Sequence, residues 1–256
     1  MRLLAKKSVG ALGTATVLAL VLADISHGTS IVVATTSESI VLAADSMVTW
    51  NNAPPSSACK IHRSGRVFFA VSGLAMVPET RWNAVNAAMA SSGRGSLREI
   101  ANSFERLAQP ALLQAVEYAR VHAPTAIEKI LKREVDTFKI IFAAIERRVP
   151  TTVSMAFQFV ADHQPIHVIH ASCPGDCGPG PIEVEFLGYD GAIRRHLATR
   201  PPLIGGSAQG LADFVISLVR IQIAARQDVV GGPIDAVRLH RDGSTHVLSA
   251  GVCPKP

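Results

Sequence analysis

Gly28-Thr29-Ser30-Ile31-Val32-Val33-Ala34-Thr35-Thr36, then Ser37-Glu38, then Ser39-Ile40-Val41-Leu42-Ala43-Ala44-Asp45 is the stretch on which the reading of this chain turns. Two apolar, β-branched runs flank a polar pair, the pattern of a β-hairpin. What precedes it differs in kind. Arg2, Lys6 and Lys7 form a positive n-region, and Ser8 to Ala23 is an uncharged, mostly apolar run shorter than an ordinary membrane helix. Residues 1–28 therefore read as a signal peptide, and residues 29–256 as one domain. Signal peptidase requires small residues at the third and first positions before its cut. Ser26 and Gly28 meet that rule and would free Thr29; Val21 and Ala23 meet it too and would free Asp24.

The first of these cuts has a chemical consequence. A new N-terminus at Thr29 puts a hydroxyl and a free α-amine on one residue. An α-amine has a pKa of about 7.7–8.0, so a good fraction is unprotonated near neutrality. It can take the hydroxyl proton, one recognised way of activating a weak nucleophile.

The residues after the hairpin extend this constellation. The second run ends in Ala44-Asp45-Ser46. After Pro54-Pro55 comes Ala58-Cys59-Lys60-Ile61, and a third β run, Arg66 to Val71, meets Ser72-Gly73-Leu74. This order resembles the start of proteasome β-type subunits and their bacterial relatives, members of the N-terminal nucleophile hydrolase superfamily. In that family a processed Gly-Thr junction begins a strand and an acidic residue follows sixteen positions on, where Asp45 stands here. The family lysine falls on Lys60 with a one-residue deletion, and the glycine whose N–H lines the oxyanion hole falls on Gly73. Further on, Gly205-Gly206-Ser207 before the amphipathic run Leu211 to Ala225 is similar to the family's Gly-Ser-Gly segment. Gly231-Gly232-Pro233 to Leu239, with the turn Arg241-Asp242-Gly243, resembles the family's double glycine, strand and hairpin turn. The family's aspartate and serine before the double glycine are absent, since those positions read Gln227 and Val230. Asp228 lies one residue off and would serve if the loop is re-registered.

The resemblance implies a four-layer αββα sandwich of the α+β class and hydrolysis of peptide or amide bonds. Its site would comprise Thr29, Asp45, Lys60, Gly73, Ser207 and Asp228. Thr29 would be the nucleophile, Lys60 a positive charge that lowers the pKa of hydroxyl and amine, Asp45 the partner of that lysine, and Gly73 an oxyanion donor. Ser207 reads equally well as a helix N-cap. No metal and no organic cofactor enters this chemistry. The partners implied are a peptide or protein substrate and further copies of the chain in a homo-oligomer, with no nucleic acid and no stable membrane span after processing. A second reading is a non-catalytic scaffold or binding subunit of the same fold, drawn from Gln227, Val230 and the alternative cut after Ala23.

Composition bounds these readings. The formal net charge of +5 falls to about +3 once the signal is removed, too little to argue for nucleic acid. Nine Phe, two Tyr and two Trp form no aromatic platform for stacked bases. Cys59, Cys173, Cys177 and Cys253 are an even set, and export to the periplasm or the extracellular space predicts two disulfides, with three pairings open. Cys173-Pro-Gly-Asp-Cys177 can close locally, which leaves Cys59 with Cys253. The histidines are scattered, without the paired spacing of a zinc site. Between the β regions the pattern predicts a helix over 78–91 and a second, long helical region that starts at a Ser96/Glu99 capping box and kinks at Pro110. Strands are expected over 138–145, 153–160, 166–169 and 182–187, the first two split at Val149-Pro150.

Overall fold

The computed structural model describes residues 29–48, 54–124, 127–128, 137–159, 166–178, 180–200 and 208–254. The signal segment, Gly205, Gly206 and Ser207 lie outside them. In chain order the strands are β1 (Ser30–Thr35), β2 (Ser39–Asp45), β3 (Met47–Val48), β4 (Ser56–Ser57), β5 (Ile61–Ser64), β6 (Val67–Gly73), β7 (Met76–Val77) and β8 (Trp82–Asn83). Helices α1 (Ala84–Ser91) and α2 (Leu97–His122) follow, then β9 (Phe138–Glu146), β10 (Val149–Gln158), β11 (His167–Cys173) and β12 (Glu183–Gly188). Helices α3 (Gly191–Thr199) and α4 (Ala208–Ala225) precede the closing hairpin of β13 (Ile234–His240) and β14 (Thr245–Ser249).

Two five-stranded antiparallel sheets carry the fold. One has the order β12-β1-β2-β13-β14, the other β11-β10-β9-β6-β5. Side chains alternate across each strand, so one run feeds two cores. Ile31, Val33, Ile40 and Leu42 pack with Phe68, Ala70, Ile141 and Ala143 of the other sheet. Val32, Ala34, Val41 and Ala43 pack instead with Leu211, Val215 and Leu218 of α4. Burial on both faces explains why β1 and β2 read as nearly unbroken apolar runs. The opposite face of the second sheet meets α2, where the Phe104 ring contacts those of Phe138, Phe142 and Phe157.

Several sequence expectations need correction. Residues 78–91 are not one helix: a 3-10 turn at Pro78–Thr80 and the short β8 come first, and α1 starts only where the Asn83 side chain caps Asn86 N–H. The long helical region is present as expected: the Ser96/Glu99 capping box opens α2, which carries Pro110 inside it as one element. Proline there removes the N–H that Arg106 C=O would accept. Both residues are exposed, so water can replace the bond. The 138–158 hairpin turns at Arg147-Arg148, both at positive φ, and Pro150 lies inside β10 opposite Ile145. Helix α3 was not anticipated; it starts at Gly191 and buries a single residue, Ile193.

Candidate active site

The hairpin register sets the site. Ile31 pairs with Ala44, which brings Asp45 opposite Ser30 at the end where Thr29 enters the sheet. Asp45 is fully buried and its carboxylate accepts three hydrogen bonds. Oδ1 accepts from Ser30 N–H and from Lys60 Nζ, each at 2.8 Å. Oδ2 accepts from Gly231 N–H at 3.1 Å. Lys60, placed just before β5, also donates to Met47 C=O at 2.6 Å. Gly231 C=O in turn accepts from Ser46 and Met47 N–H at 3.2 and 2.9 Å. One buried carboxylate therefore joins four segments: the start of β1, the end of β2, the lysine and the double glycine.

Burial disfavours the ammonium form of Lys60 and lowers its pKa; the charge of Asp45 and its hydrogen bond oppose that shift. Thr29 is 8 % exposed. Its carbonyl accepts from Tyr189 N–H at 2.7 Å. Gly188, at φ +80°, lies so close that a Cβ there would stand 2.1 Å from the Thr29 oxygen. Only glycine lets β12 close on Thr29 in this way. Gly188 and Tyr189 were missed by sequence reasoning, because a glycine at the end of a β run looks like any strand terminus.

The other expected residues are placed less directly. Gly73 ends β6 at φ +84°, and a Cβ there would meet Thr137 C=O at 2.4 Å, so its glycine is required by the approach of β9 whatever else it does. Asp228 is exposed and held by Arg226, with two hydrogen bonds of 2.9 Å. The Arg226 guanidinium lies 5.0 Å from the centre of the Tyr189 ring, so Asp228 connects to Thr29 through two intermediate residues. Val230 is buried and Gln227 exposed. Ser207 lies outside the described residues. The hydroxyls of Ser30 and Ser46, both buried, have no hydrogen-bond partner among the described residues.

Two disulfides, Cys59–Cys253 and Cys173–Cys177, account for all four cysteines. The first anchors the residue next to Lys60 to a C-terminal turn whose N–H groups, from Gly251 to Cys253, converge on Asp235. Both point to a non-reducing environment. Among the described residues no group of three or more His, Cys, Asp or Glu is placed to hold a metal ion, and no helix is long and apolar enough to cross a membrane. Chemically, the arrangement offers a buried cation and carboxylate fixed one residue from a threonine.

No family model matches the sequence, and no curated protein matches it. Solved structures do. The chain is similar to Anbu from Hyphomicrobium sp. strain MC1 (16% identity, 86% of this chain and 88% of that one, TM-score 0.53) and to a Gly-1 mutant of it (16%, 87% and 88%, 0.50). It is also similar to a helical assembly of the Anbu complex from Pseudomonas aeruginosa (13%, 89% and 88%, 0.55). These findings correct the expectation of a proteasome β-type subunit: these three structures are Anbu proteins, a distinct proteasome-related family. The sixteen-residue offset that suggested otherwise is the register of the β1–β2 hairpin, and a register follows from the sheet, not from the branch of a family. What the chain shares with them is the fold.

Proposed function

We propose that the chain is an N-terminal threonine hydrolase that cleaves peptide or amide bonds, exported and freed at Thr29 by cleavage after Gly28. The observation that supports it most is the buried Lys60–Asp45 pair, hydrogen-bonded to Ser30 N–H beside Thr29. A buried cation is costly without a partner, and such a pair fixed one residue from a threonine is the kind of perturbed charge that marks functional sites. In this reading the Thr29 hydroxyl attacks the substrate carbonyl while its proton passes to the α-amine. A tetrahedral oxyanion forms, with Gly73 N–H as the candidate donor. The C–N bond breaks as the ammonium returns the proton to the leaving amine. Water then hydrolyses the Thr29 ester by the same base and restores the hydroxyl. The αββα layering, with α1 and α2 on one sheet and α3 and α4 on the other, belongs to the same reading, as do assembly from like copies and a peptide substrate.

Asp228 has no direct part in this proposal, because Arg226 already occupies its carboxylate. That same observation, with buried Val230 where a hydroxyl would sit, favours the alternative of a non-catalytic scaffold. Thr29→Ala separates the two. The hydrolase reading expects loss of fluorogenic-peptide hydrolysis with unchanged circular dichroism, whereas activity retained in that variant removes the threonine mechanism.

A further inference from the structure

The β13–β14 hairpin carries a cationic group remote in function from Thr29. Arg238 stands opposite Val41 on one side and His246 on the other. Val41, Ala236 and Leu248 belong to the core beneath α4, so the alternation of the strands puts Arg238, His240 and His246 on that same face. The imidazoles of His240 and His246 meet edge to face, with centroids 5.2 Å apart. Burial, followed by the charges of Arg238 and His246, lowers the His240 pKa against the opposing charge of Asp242.

Arg238 is 8 % exposed, and its Nε is buried with no acceptor. Among the described residues no carboxylate pairs with it. Of the nearby acids, Asp242 accepts from Ser244 N–H at 2.8 Å while its charge also acts on His240 and His246, and Glu38 holds Arg241 at 2.8 Å. On α4 the charged side chains, Asp213 and Arg220, are exposed, while Leu211, Val215 and Leu218 face the sheet. The buried Nε lacks an acceptor, a cost that a bound anion relieves, and the planar guanidinium fork matches the oxygens of a phosphoryl group. His246 is exposed and His240 half-buried, so the imidazoles reach solvent beside the buried Arg238.

We propose that Arg238, with His240 and His246, forms a binding site for a phosphate-sized oxyanion, free or as the terminal group of a small phosphomonoester. The site is independent of hydrolysis at Thr29. The test is isothermal titration of the exported, disulfide-intact protein with inorganic phosphate and, separately, phenyl phosphate, at pH 6.5 with ionic strength held constant by chloride. Saturable binding is expected, weakened about tenfold or more in Arg238→Gln and by a smaller factor in His246→Gln, a rim change that leaves the buried position intact. Binding of inorganic phosphate alone identifies a site for the free ion; binding of both identifies a site for a terminal phosphoryl group. Absence of saturable binding to either probe, or binding undiminished in both variants, overturns the proposal.

Discussion

Replacing Asp45 by asparagine strikes the point where the fold and the candidate site coincide. The side chains of Asp45 and Lys60 are 0 % and 7 % exposed, and their oxygen and nitrogen lie 2.8 Å apart. Breaking a buried ion pair by removing one partner costs about 3–5 kcal/mol, because the other charge stays behind unpaired. An asparagine has a second effect. If its carbonyl keeps Ser30 N–H and Lys60, its amide turns an N–H toward Gly231 N–H, so a buried acceptor becomes a donor facing a donor. Urea unfolding at pH 7, with both disulfides intact, should therefore show Asp45→Asn less stable by at least about 3 kcal/mol. The pH dependence follows from Lys60. Its pKa is already lowered by burial, and loss of Asp45 removes what opposes that shift. A lysine with a lowered folded pKa binds fewer protons folded than unfolded, so its penalty is full below the folded pKa and fades as pH rises towards the unfolded value. The gap between variant and wild type should narrow from pH 6 to pH 9. A loss below about 1 kcal/mol, the range of ordinary substitutions, with a gap independent of pH, would refute the reasoning.

Other perturbations reach the same account from different sides. Lys60→Ala should cut peptide turnover by orders of magnitude and Lys60→Arg should restore little, since a planar fork does not replace a compact ammonium; near-full turnover in Lys60→Ala would remove the hydrolase reading and leave the fold. Gly188→Ala should destabilise the protein by more than about 1 kcal/mol in urea and depress activity, because φ +80° and a Cβ 2.1 Å from Thr29 C=O force β12 away from Thr29; an unaffected melting curve would contradict it. Thiol titration of denatured, non-reduced protein should find no free cysteine, and two or more would contradict the pairing. Removing Cys59–Cys253, with a sequence separation of 194, should cost about 5 kcal/mol on chain-entropy grounds, against about 2 kcal/mol for the separation of 4 in Cys173–Cys177; equal losses would refute that ordering.

Much of the fold was legible where local chemistry is strong. The β1–β2 hairpin announced itself through β-branched runs around a polar pair, and α2 through Ser96 and Glu99, whose side chains accept from each other's backbone N–H. The signals failed where tertiary context decides. Arg147-Arg148 is a hairpin turn with none of the usual glycine or asparagine, held because β9 and β10 are already paired along nine positions. At the candidate site, Asp45 and Lys60 were visible as a spacing because a hairpin register is a sequence distance. Gly188 and Tyr189 were not, since their closeness to Thr29 is a contact made across 159 residues by sheet order alone. The capture of Asp228 by Arg226 was equally hidden, although the two stand only two residues apart. No pattern distinguishes an arginine that pairs from one that points to solvent.

The central claim is that Thr29 is a terminal nucleophile, and the N-terminus of the exported protein tests it most directly. Edman sequencing with intact mass of the secreted, non-reduced chain should give Thr29-Ser30-Ile31-Val32 and a mass for residues 29–256 with two disulfides. A chain that begins at Asp24 or retains Met1 carries Thr29 as an internal residue without an α-amine, and would contradict the account.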